Sequence, residues 1–313
     1  KNNIYFICDK INLGLIKKIK DLNVNLHIVK EKKIDKNYEK IDSDQTIKIF
    51  EKINKKINLL IVDSYLLGFK WERKLKQYVD KIFVIDDLDR KHVCDLYLNQ
   101  NFFSKNKKKF LEKKTIKLLG LKYCILKFNK FEKKRVITNP KKIEKILIFM
   151  GGSDRSNLTI KILKIFGDKI FNQFKFDVVI GVNNKKIKLI KKLTKKRKNI
   201  NIHFDLPNLK KLLLKSDIAI SSGGSFIWEC IFFGVPSLII NQSKNQINNS
   251  KMLNNISAIK LYKNKINNLV KLKGFFGKYI LKKNFIVPKN LYNLIDGNGK
   301  LRIIKLIKKL NEN

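Results

Sequence analysis

The sequence predicts an α/β protein made of two Rossmann-like parallel-sheet domains facing a cleft. Three observations carry that prediction. Apolar runs of buried-strand type alternate with segments of helical spacing. The alternation stops across a Lys-rich stretch, residues 104–142, and then restarts. In the restarted half, two strand-like runs each end on a Gly-Gly pair that opens a helical pattern, at Gly151-Gly152 and at Gly223-Gly224.

In the first half, Ile4–Cys8 is a buried-type strand ending at Asp9. Ile11–Leu22 has helical spacing, with Leu15, Ile16, Ile19 and Leu22 on one face. Val24–Val29 reads as a strand, Lys30–Asp44 as polar loop, Thr46–Ile57 as a helix and Leu59–Asp63 as a strand closed by a carboxylate. Lys70–Tyr78 is a helix, Lys81–Ile85 a strand running into Asp86 and Asp87, and Asp95–Leu98 a short strand. This rhythm builds a parallel doubly wound sheet, whose ligands gather outside the carboxyl ends of the strands. Asp9, Asp63, Asp86 and Asp87 all fall there. The stretch 104–142, with Pro140, reads as a linker, so the domains are expected at residues 1–137 and 138–313.

In the second half, Ile146–Met150 is a strand, Asn157–Phe166 a helix, Asp177–Gly181 a strand and Lys185–Lys196 a helix. Ile200–Phe204 is a strand, Leu209–Leu214 a helix, Ile218–Ser221 a strand and Phe226–Phe233 a helix. Val235–Ile240 is a further strand, reached through a turn at Gly234 and Pro236. Leu301–Leu310 is an amphipathic terminal helix, expected to pack back on the first domain.

The chemistry is concentrated in Gly151-Gly152-Ser153-Asp154 and in Gly223-Gly224-Ser225, with Glu229 one helical turn further on. Two glycines at a strand end let backbone N–H groups come close to an anion, and the next helix aims the positive end of its dipole at the same place. Either pair alone is a tight turn. The doubling, with Glu229, points to a phosphate-bearing ligand held between two strand-to-helix turns. Glu229 suits ribose hydroxyls, or else complements the dipole of its own helix. Asn157 contacts a diphosphate or a sugar, or else caps its helix. Asn245 and Gln246 offer amides to a ligand, or else form a polar loop.

Bulk composition narrows the class. The 313 residues suffice for two ordinary cores. A hydrophobic fraction of 44% with 21 Phe marks a globular chain despite 31% charged residues. No apolar run approaches the roughly 20 residues that span a bilayer, so no membrane insertion is expected. Ile4–Cys8 is too short an apolar run for a signal peptide. The four cysteines, Cys8, Cys94, Cys124 and Cys230, have no C-x-x-C spacing, which predicts neither a metal site nor a disulfide framework but a reducing cytoplasm. The net charge of +44 comes from Lys spread through nearly every segment alongside Asn and Ile. That is a compositional bias on solvated positions, not the one-sided patch of a specific nucleic-acid binder. It favours anionic small molecules such as sugar nucleotides.

With these residues in place, the chain resembles the UDP-2,4-diacetamido-2,4,6-trideoxy-sugar hydrolases of pseudaminic acid biosynthesis, relatives of the GT-B glycosyltransferases. Asp63-Ser64-Tyr65 followed by Trp71-Glu72 is similar to the family's D-H-Y…W-E. Asp86-Asp87, His92-Val93-Cys94-Asp95 and Asn99-Gln100-Asn101 are similar to D-D…H-x-C-D…N-Q-N, and Gly120-x-x-Tyr123-x-x-Leu126 continues the pattern. Gly151-Gly152-Ser153-Asp154-x-x-Asn157 resembles the first nucleotide loop. Gly223-Gly224-Ser225…Trp228-Glu229, then Gly234-Val235-Pro236 and Asn245-Gln246, resemble the second. Asp296-Gly297-x-Gly299-x-x-Arg302 resembles the C-terminal signature.

The resemblance implies a GT-B fold and inverting, metal-independent hydrolysis of a UDP-sugar, with no cofactor. It places the nucleotide and substrate on Gly151, Gly152, Ser153, Asn157, Gly181, Gly223, Gly224, Ser225, Glu229, Asn245 and Gln246. It breaks in the catalytic head, R-x-D followed by I-G-x-G-H-x-x-R, whose His is the presumed base. Here Ile7 stands at the Arg, Asp9 at the Asp, Asn12 at the first Gly and Leu15 at the His, with Lys18 at the last Arg. A register without a gap puts Lys18 at the His position instead, and neither register yields a histidine. Leu cannot take a proton, and a positioned base is worth roughly 10²- to 10⁴-fold in rate. Asp9 and Tyr65 are the expected catalytic residues, with Asp63 and Asp86 as alternatives for activating water. His27, His92 and His203 are expected in structural settings. Three functions stay open: a hydrolase with an altered water-activating group, a UDP-sugar-binding protein without turnover, and a GT-B glycosyltransferase.

Overall fold

The computed structural model describes residues 3–9, 11, 13–30, 34–88, 90–101, 111–132, 143–281 and 293–312. The chain divides into two compact units. The first comprises Lys1–Asn99, Ser104–Leu119 and Lys309–Asn313, and the second Gln100–Phe103 and Gly120–Lys308.

The first unit holds β1 (Tyr5–Cys8), α1 (Leu13–Asp21), β2 (Asn25–Ile28), α2 (Tyr38–Ile53), β3 (Ile57–Asp63), α3 (Phe69–Leu75), β4 (Val79–Ile85), β5 (Leu96–Asn99) and β6 (Ile116–Leu119). All pairings are parallel, as the alternation predicts, but they form two sheets where one was expected. β1 pairs with β2, while β3-β4-β5-β6 is a separate four-stranded sheet. The core packs Ile47 and Phe50 of α2 and Trp71 and Leu75 of α3 against Val62, Ile82, Val84 and Tyr97.

Two sequence expectations are corrected here. Lys30–Asp44 is not loop throughout, because α2 already begins at Tyr38. Its first turns bury Tyr38, Asp42, Ser43 and Thr46, and a mostly polar buried face carries no apolar period to read. Asp42 justifies its burial by accepting the Trp71 indole N–H at 2.8 Å. The stretch 104–142 is not only linker either. β6 lies within it, four residues that follow Lys113-Lys114-Thr115, pairing with β5 and burying Leu118. Pro140 lies outside the described residues.

The second unit holds β7 (Lys145–Phe149), α4 (Leu158–Ile165), β8 (Lys175–Ile180), α5 (Ile187–Thr194), β9 (Ile200–Phe204), α6 (Lys210–Lys215), β10 (Ile218–Ser221), α7 (Phe226–Phe233), β11 (Ser237–Ile239), α8 (Lys244–Asn255), β12 (Lys260–Leu261), α9 (Leu269–Phe276) and α10 (Gly299–Glu312). Their parallel sheet runs β12-β11-β10-β7-β8-β9. The chain winds from β7 outward to β9, then returns to place β10 on the other side of β7. That reversal is a topological switch point, where the crevice of an open parallel sheet forms.

Both faces of this sheet are covered, so its central strands are apolar without alternation. Ile146, Leu147, Ile148, Ile218, Ala219 and Ile220 are all buried. Phe166 sits within 5.0 Å, centroid to centroid, of Phe171, Phe176 and Phe276 and fills the layer beneath α4 and α9. α8, β12 and α9 had no counterpart in the sequence reading. α8 is rich in Asn and buries Asn249 and Ser250 beside Leu253, so its period is hidden as that of α2 is. Among the described residues no helix is long and apolar enough to cross a membrane.

Candidate functional site

The site is built at the switch point of the second unit. β7 and β10 are hydrogen-bonded neighbours in register Phe149↔Ser221, so the two Gly-Gly turns leave the sheet side by side. The Ser221 hydroxyl donates to the Phe149 carbonyl at 2.7 Å and ties the strand ends together. Ser222, buried, lies between the turns: a Cβ on Gly151 would stand 3.6 Å from its Oγ, and one on Gly224 3.9 Å. Gly151 itself has φ +84°, a left-handed conformation that favours glycine.

The two turns differ at their helices. In the first, Asp154 is buried and its carboxylate accepts the backbone N–H groups of Leu158 at 2.8 Å and Thr159 at 2.9 Å. Burial raises its pKa, and the Thr159 and Leu158 hydrogen bonds work against that rise. The positive end of α4 is therefore already occupied, which corrects the expectation that both helix dipoles face the ligand. Asp154 also takes the capping role considered for Asn157. Asn157 occupies the cap position in a left-handed conformation, φ 51°, with no side-chain cap bond, so its amide is not spent on the helix. Gly152 and Ser153 are exposed beside it.

The second turn is open. Ser225 precedes α7 without capping it, and among the described residues no acceptor meets the backbone N–H groups of Gly224, Ser225 and Phe226. α7 is apolar nearly all round, with seven of its eight residues buried. Glu229 is the exception, half-buried on a helix otherwise committed to the core. Burial pushes its carboxyl above the ordinary range, and Lys127 pulls it down only in part. Among the described residues no hydrogen-bond donor meets that carboxylate. Lys127 is held in place by donating to the Pro207 carbonyl at 2.8 Å.

Asn245 and Gln246 are not in a loop: both lie in the first turn of α8. Gln246 spends its Oε1 on the Gln242 backbone N–H, 2.8 Å away. Gln242 in turn donates from Nε2 to the Met150 carbonyl at 2.7 Å and accepts the Ser156 N–H at 3.3 Å. Asn245 accepts the Ser243 hydroxyl at 2.5 Å. Gln246 thus holds Gln242, and Gln242 braces the first turn. Sequence reasoning missed Gln242 and Lys127, because each acts through a contact distant in the chain.

Gly181 follows β8, and its lack of a side chain has a local cause. A Cβ there would lie 2.4 Å from the Gly152 carbonyl oxygen. Gly223 is similarly crowded, a Cβ falling 2.2 Å from Asn241 Oδ1. Gly152, by contrast, has nothing within 4 Å of that position.

In the first unit, Asp9 follows β1 and accepts the Tyr38 hydroxyl at 3.0 Å. Burial and that bond to Asp9 raise the Tyr38 phenol to about 12. Tyr65 is 58% exposed just past the end of β3, and Leu15 is exposed on α1. Asn12 lies outside the described residues, as does the Lys18 side chain. Asp63 closes β3; partial burial and then the carboxylates of Asp87 and Asp86 raise its pKa. His27 is half-buried on β2 beside Tyr5, and His203 on β9 contacts Asp177 at 2.8 Å.

His92 is buried between two carboxylates, its Nδ1 2.6 Å from Glu72 and its Nε2 3.0 Å from Asp86. Burial alone would lower its pKa, but the bonds to Asp86 and Glu72 raise it to about 9. The C-terminal signature is structural as well. Arg302 pairs with Asp296 and donates to the Lys122 carbonyl at 2.8 Å, while Gly299 packs on Cys124 where a Cβ would meet the carbonyl at 2.1 Å.

Comparison with known proteins agrees with this architecture. Residues 146–284 match the glycosyltransferase family 28 C-terminal domain. An uncharacterised protein of Methanocaldococcus jannaschii is 30% identical over 263 residues, 75% of this chain and 52% of its own length. The chain thus spans about half the length of that relative. The UDP-2,4-diacetamido-2,4,6-trideoxy-beta-L-altropyranose hydrolase of Campylobacter jejuni is 28% identical over 206 residues, 63% of this chain and 73% of that protein. Among solved structures, MurG of Acinetobacter baumannii shares the fold with a TM-score of 0.63 at 11% identity, over 98% of this chain and 91% of that one. The chain has the parallel-sheet α/β fold of the GT-B glycosyltransferases and is similar to the Campylobacter jejuni hydrolase.

Proposed function

We propose that the protein hydrolyses a UDP-2,4-diacetamido-2,4,6-trideoxyhexose to the free sugar and UDP, with inversion at the anomeric carbon. The observation that carries the nucleotide half is Glu229, a desolvated carboxylate with no donor among the described residues, beside an open helix end. A ribose supplies two hydroxyl donors to such a carboxylate. The N–H groups of Gly224, Ser225 and Phe226 then face the diphosphate and stabilise the charge that develops as UDP leaves. Gly152, Ser153 and Asn157 bound the same ligand from the first turn.

In the hydrolytic step, water's oxygen bonds to the anomeric carbon while the bond to the diphosphate oxygen breaks, and UDP departs with the electron pair. The proton of the water passes to a base. Asp9 is that base in this reading: it follows β1 at the strand's carboxyl end, and the Tyr38 hydroxyl donates to its Oδ2 at 3.0 Å. Tyr65 orients the substrate.

The exposed Leu15 at the position of the family's histidine favours a second reading, a UDP-sugar-binding protein without turnover. Nucleotide recognition is common to both and is tested by calorimetry with UDP and 2′-deoxy-UDP. Wild type is expected to bind UDP about 10-fold more tightly, as befits a hydrogen bond to a charged group, and Glu229→Gln to lose that preference. Equal affinity of wild type for the two nucleotides rejects the assignment of Glu229 to the ribose.

A further inference from the structure

Ser222, between the two Gly-Gly turns, is only 6% exposed, and the proposed chemistry leaves its hydroxyl without a task. The other buried serines spend theirs on protein. Ser43 donates to the Lys40 carbonyl at 2.7 Å, Ser216 to that of Leu212 at 2.7 Å and Ser221 to that of Phe149 at 2.7 Å. Ser237 donates to the Val235 carbonyl at 3.0 Å and Ser250 to Asn241 Oδ1 at 2.8 Å. Among the described residues nothing meets Ser222 Oγ. A buried hydroxyl without a partner is uncommon and costs stability. Its oxygen is nonetheless not sealed off, so a partner arriving from solvent can reach it.

The hydroxyl lies against the bare faces of both turns. It is the one atom within 4 Å of a Cβ built on Gly151, at 3.6 Å, and it stands 3.9 Å from one built on Gly224. The only other atom that close to the Gly224 position is Gln246 Nε2, also at 3.9 Å, whose own Oε1 is committed to the Gln242 N–H. At the same turn the backbone N–H groups of Gly224, Ser225 and Phe226 open α7 without acceptors among the described residues. A hydroxyl, an amide and a run of backbone N–H groups thus surround Gly224, all of them able to donate. The group that satisfies them must bring acceptors, and a phosphate oxygen accepts from several donors at once. Every one of these residues belongs to the second unit, so the arrangement is internal to one compact body.

We propose that Ser222 is a ligand-binding residue, its hydroxyl donating to a phosphate oxygen of the nucleotide held between the two Gly-Gly turns. The proposal rests on the UDP reading above and adds a side-chain donor which that reading does not use. It has a consequence that a structural serine does not share. The hydroxyl is paired only in the complex, so its removal weakens binding and costs the free protein nothing. Affinity and stability therefore part company at this residue, as they do where a site is kept unsatisfied for its ligand.

The test combines calorimetry with UDP and with uridine, which lacks the phosphates, and thermal melting of the protein without ligand. Ser222→Ala is expected to raise the UDP dissociation constant about 10-fold, the worth of a hydrogen bond to a charged group. Its uridine constant should stay unchanged, and its melting temperature should equal or exceed that of wild type. Ser221→Ala, which deletes the neighbouring hydroxyl already spent on Phe149, should show the reverse: a lower melting temperature with the ratio of UDP to uridine affinity retained. An unchanged UDP constant in Ser222→Ala overturns the proposal and leaves the nucleotide reading standing. Equal weakening of UDP and uridine overturns it too, because the hydroxyl would then serve the nucleoside. A Ser222→Ala protein that melts as low as Ser221→Ala, or fails to fold, also overturns it, since deleting a group without a protein partner leaves nothing unpaired behind. A wild type that binds UDP no more tightly than uridine rejects this proposal and the diphosphate reading together.

Discussion

Asp154 Oδ1 accepts the backbone N–H of Leu158 at 2.8 Å, so the protein's own carboxylate closes the helix end nearest the first Gly-Gly turn. The turn before α7 has no such cap. One switch point therefore presents a closed and an open helix end, and the diphosphate is assigned to the open one. Asp154→Ala should cost about 1–2 kcal/mol, the usual loss for a helix cap, measured as a lower urea midpoint. UDP affinity of the folded variant should be unchanged. A loss of affinity at constant stability would place Asp154 in the ligand site.

The glycines separate packing from ligand approach. Gly181→Ala drives a methyl into the backbone of Gly152, which has no side chain to yield. A destabilisation of about 1–3 kcal/mol is expected, as for other overpacked sites. Gly152→Ala meets open space, so its melting curve should match wild type. UDP affinity should nevertheless fall, because the methyl occupies the surface a phosphate approaches. Unchanged affinity would show that the first turn does not touch the nucleotide.

His92 gives a pH signature. Its folded pKa of about 9 lies above the ordinary 6.5, so the protonated form is favoured by folding. Its contribution is fully present below pH 6.5 and is lost as pH rises through about 9. The total is on the order of 3 kcal/mol by linkage. Urea midpoints measured between pH 6 and 10 should fall accordingly in wild type and lose that slope in His92→Gln.

Much of this was legible in the sequence, and the failures share a cause. The runs Ile146–Met150 and Ile218–Ser221 are apolar because both sheet faces are covered, so periodicity alone located the strands that flank the switch point. Glu229 was singled out by its place one helical turn past the second Gly-Gly pair. The start of α2 and the whole of α8 were hidden because Asp42, Ser43, Asn249 and Ser250 are buried polar groups that leave no apolar period to read. Asp154 was placed in the correct turn but without its role, since only coordinates show which of Asp154 and Asn157 reaches the helix amides. Gln242, joined to Met150 at 2.7 Å, left no local signal.

The catalytic head is open to repair. Leu15→His combined with Asn12→Gly restores a base at the family position and should raise UDP release, within the roughly 10²- to 10⁴-fold that a positioned base supplies. No gain in a folded variant would show that the loop geometry has diverged along with its residues.

The most direct measurement is release of UDP from UDP-2,4-diacetamido-2,4,6-trideoxy-beta-L-altropyranose by the purified protein in water, followed by phosphorus NMR. The account predicts release well above the uncatalysed background, free sugar of inverted anomeric configuration, and loss of activity in Asp9→Asn with UDP binding retained. Tight UDP binding with no release above background, or transfer of the sugar to an added acceptor in place of water, would contradict it.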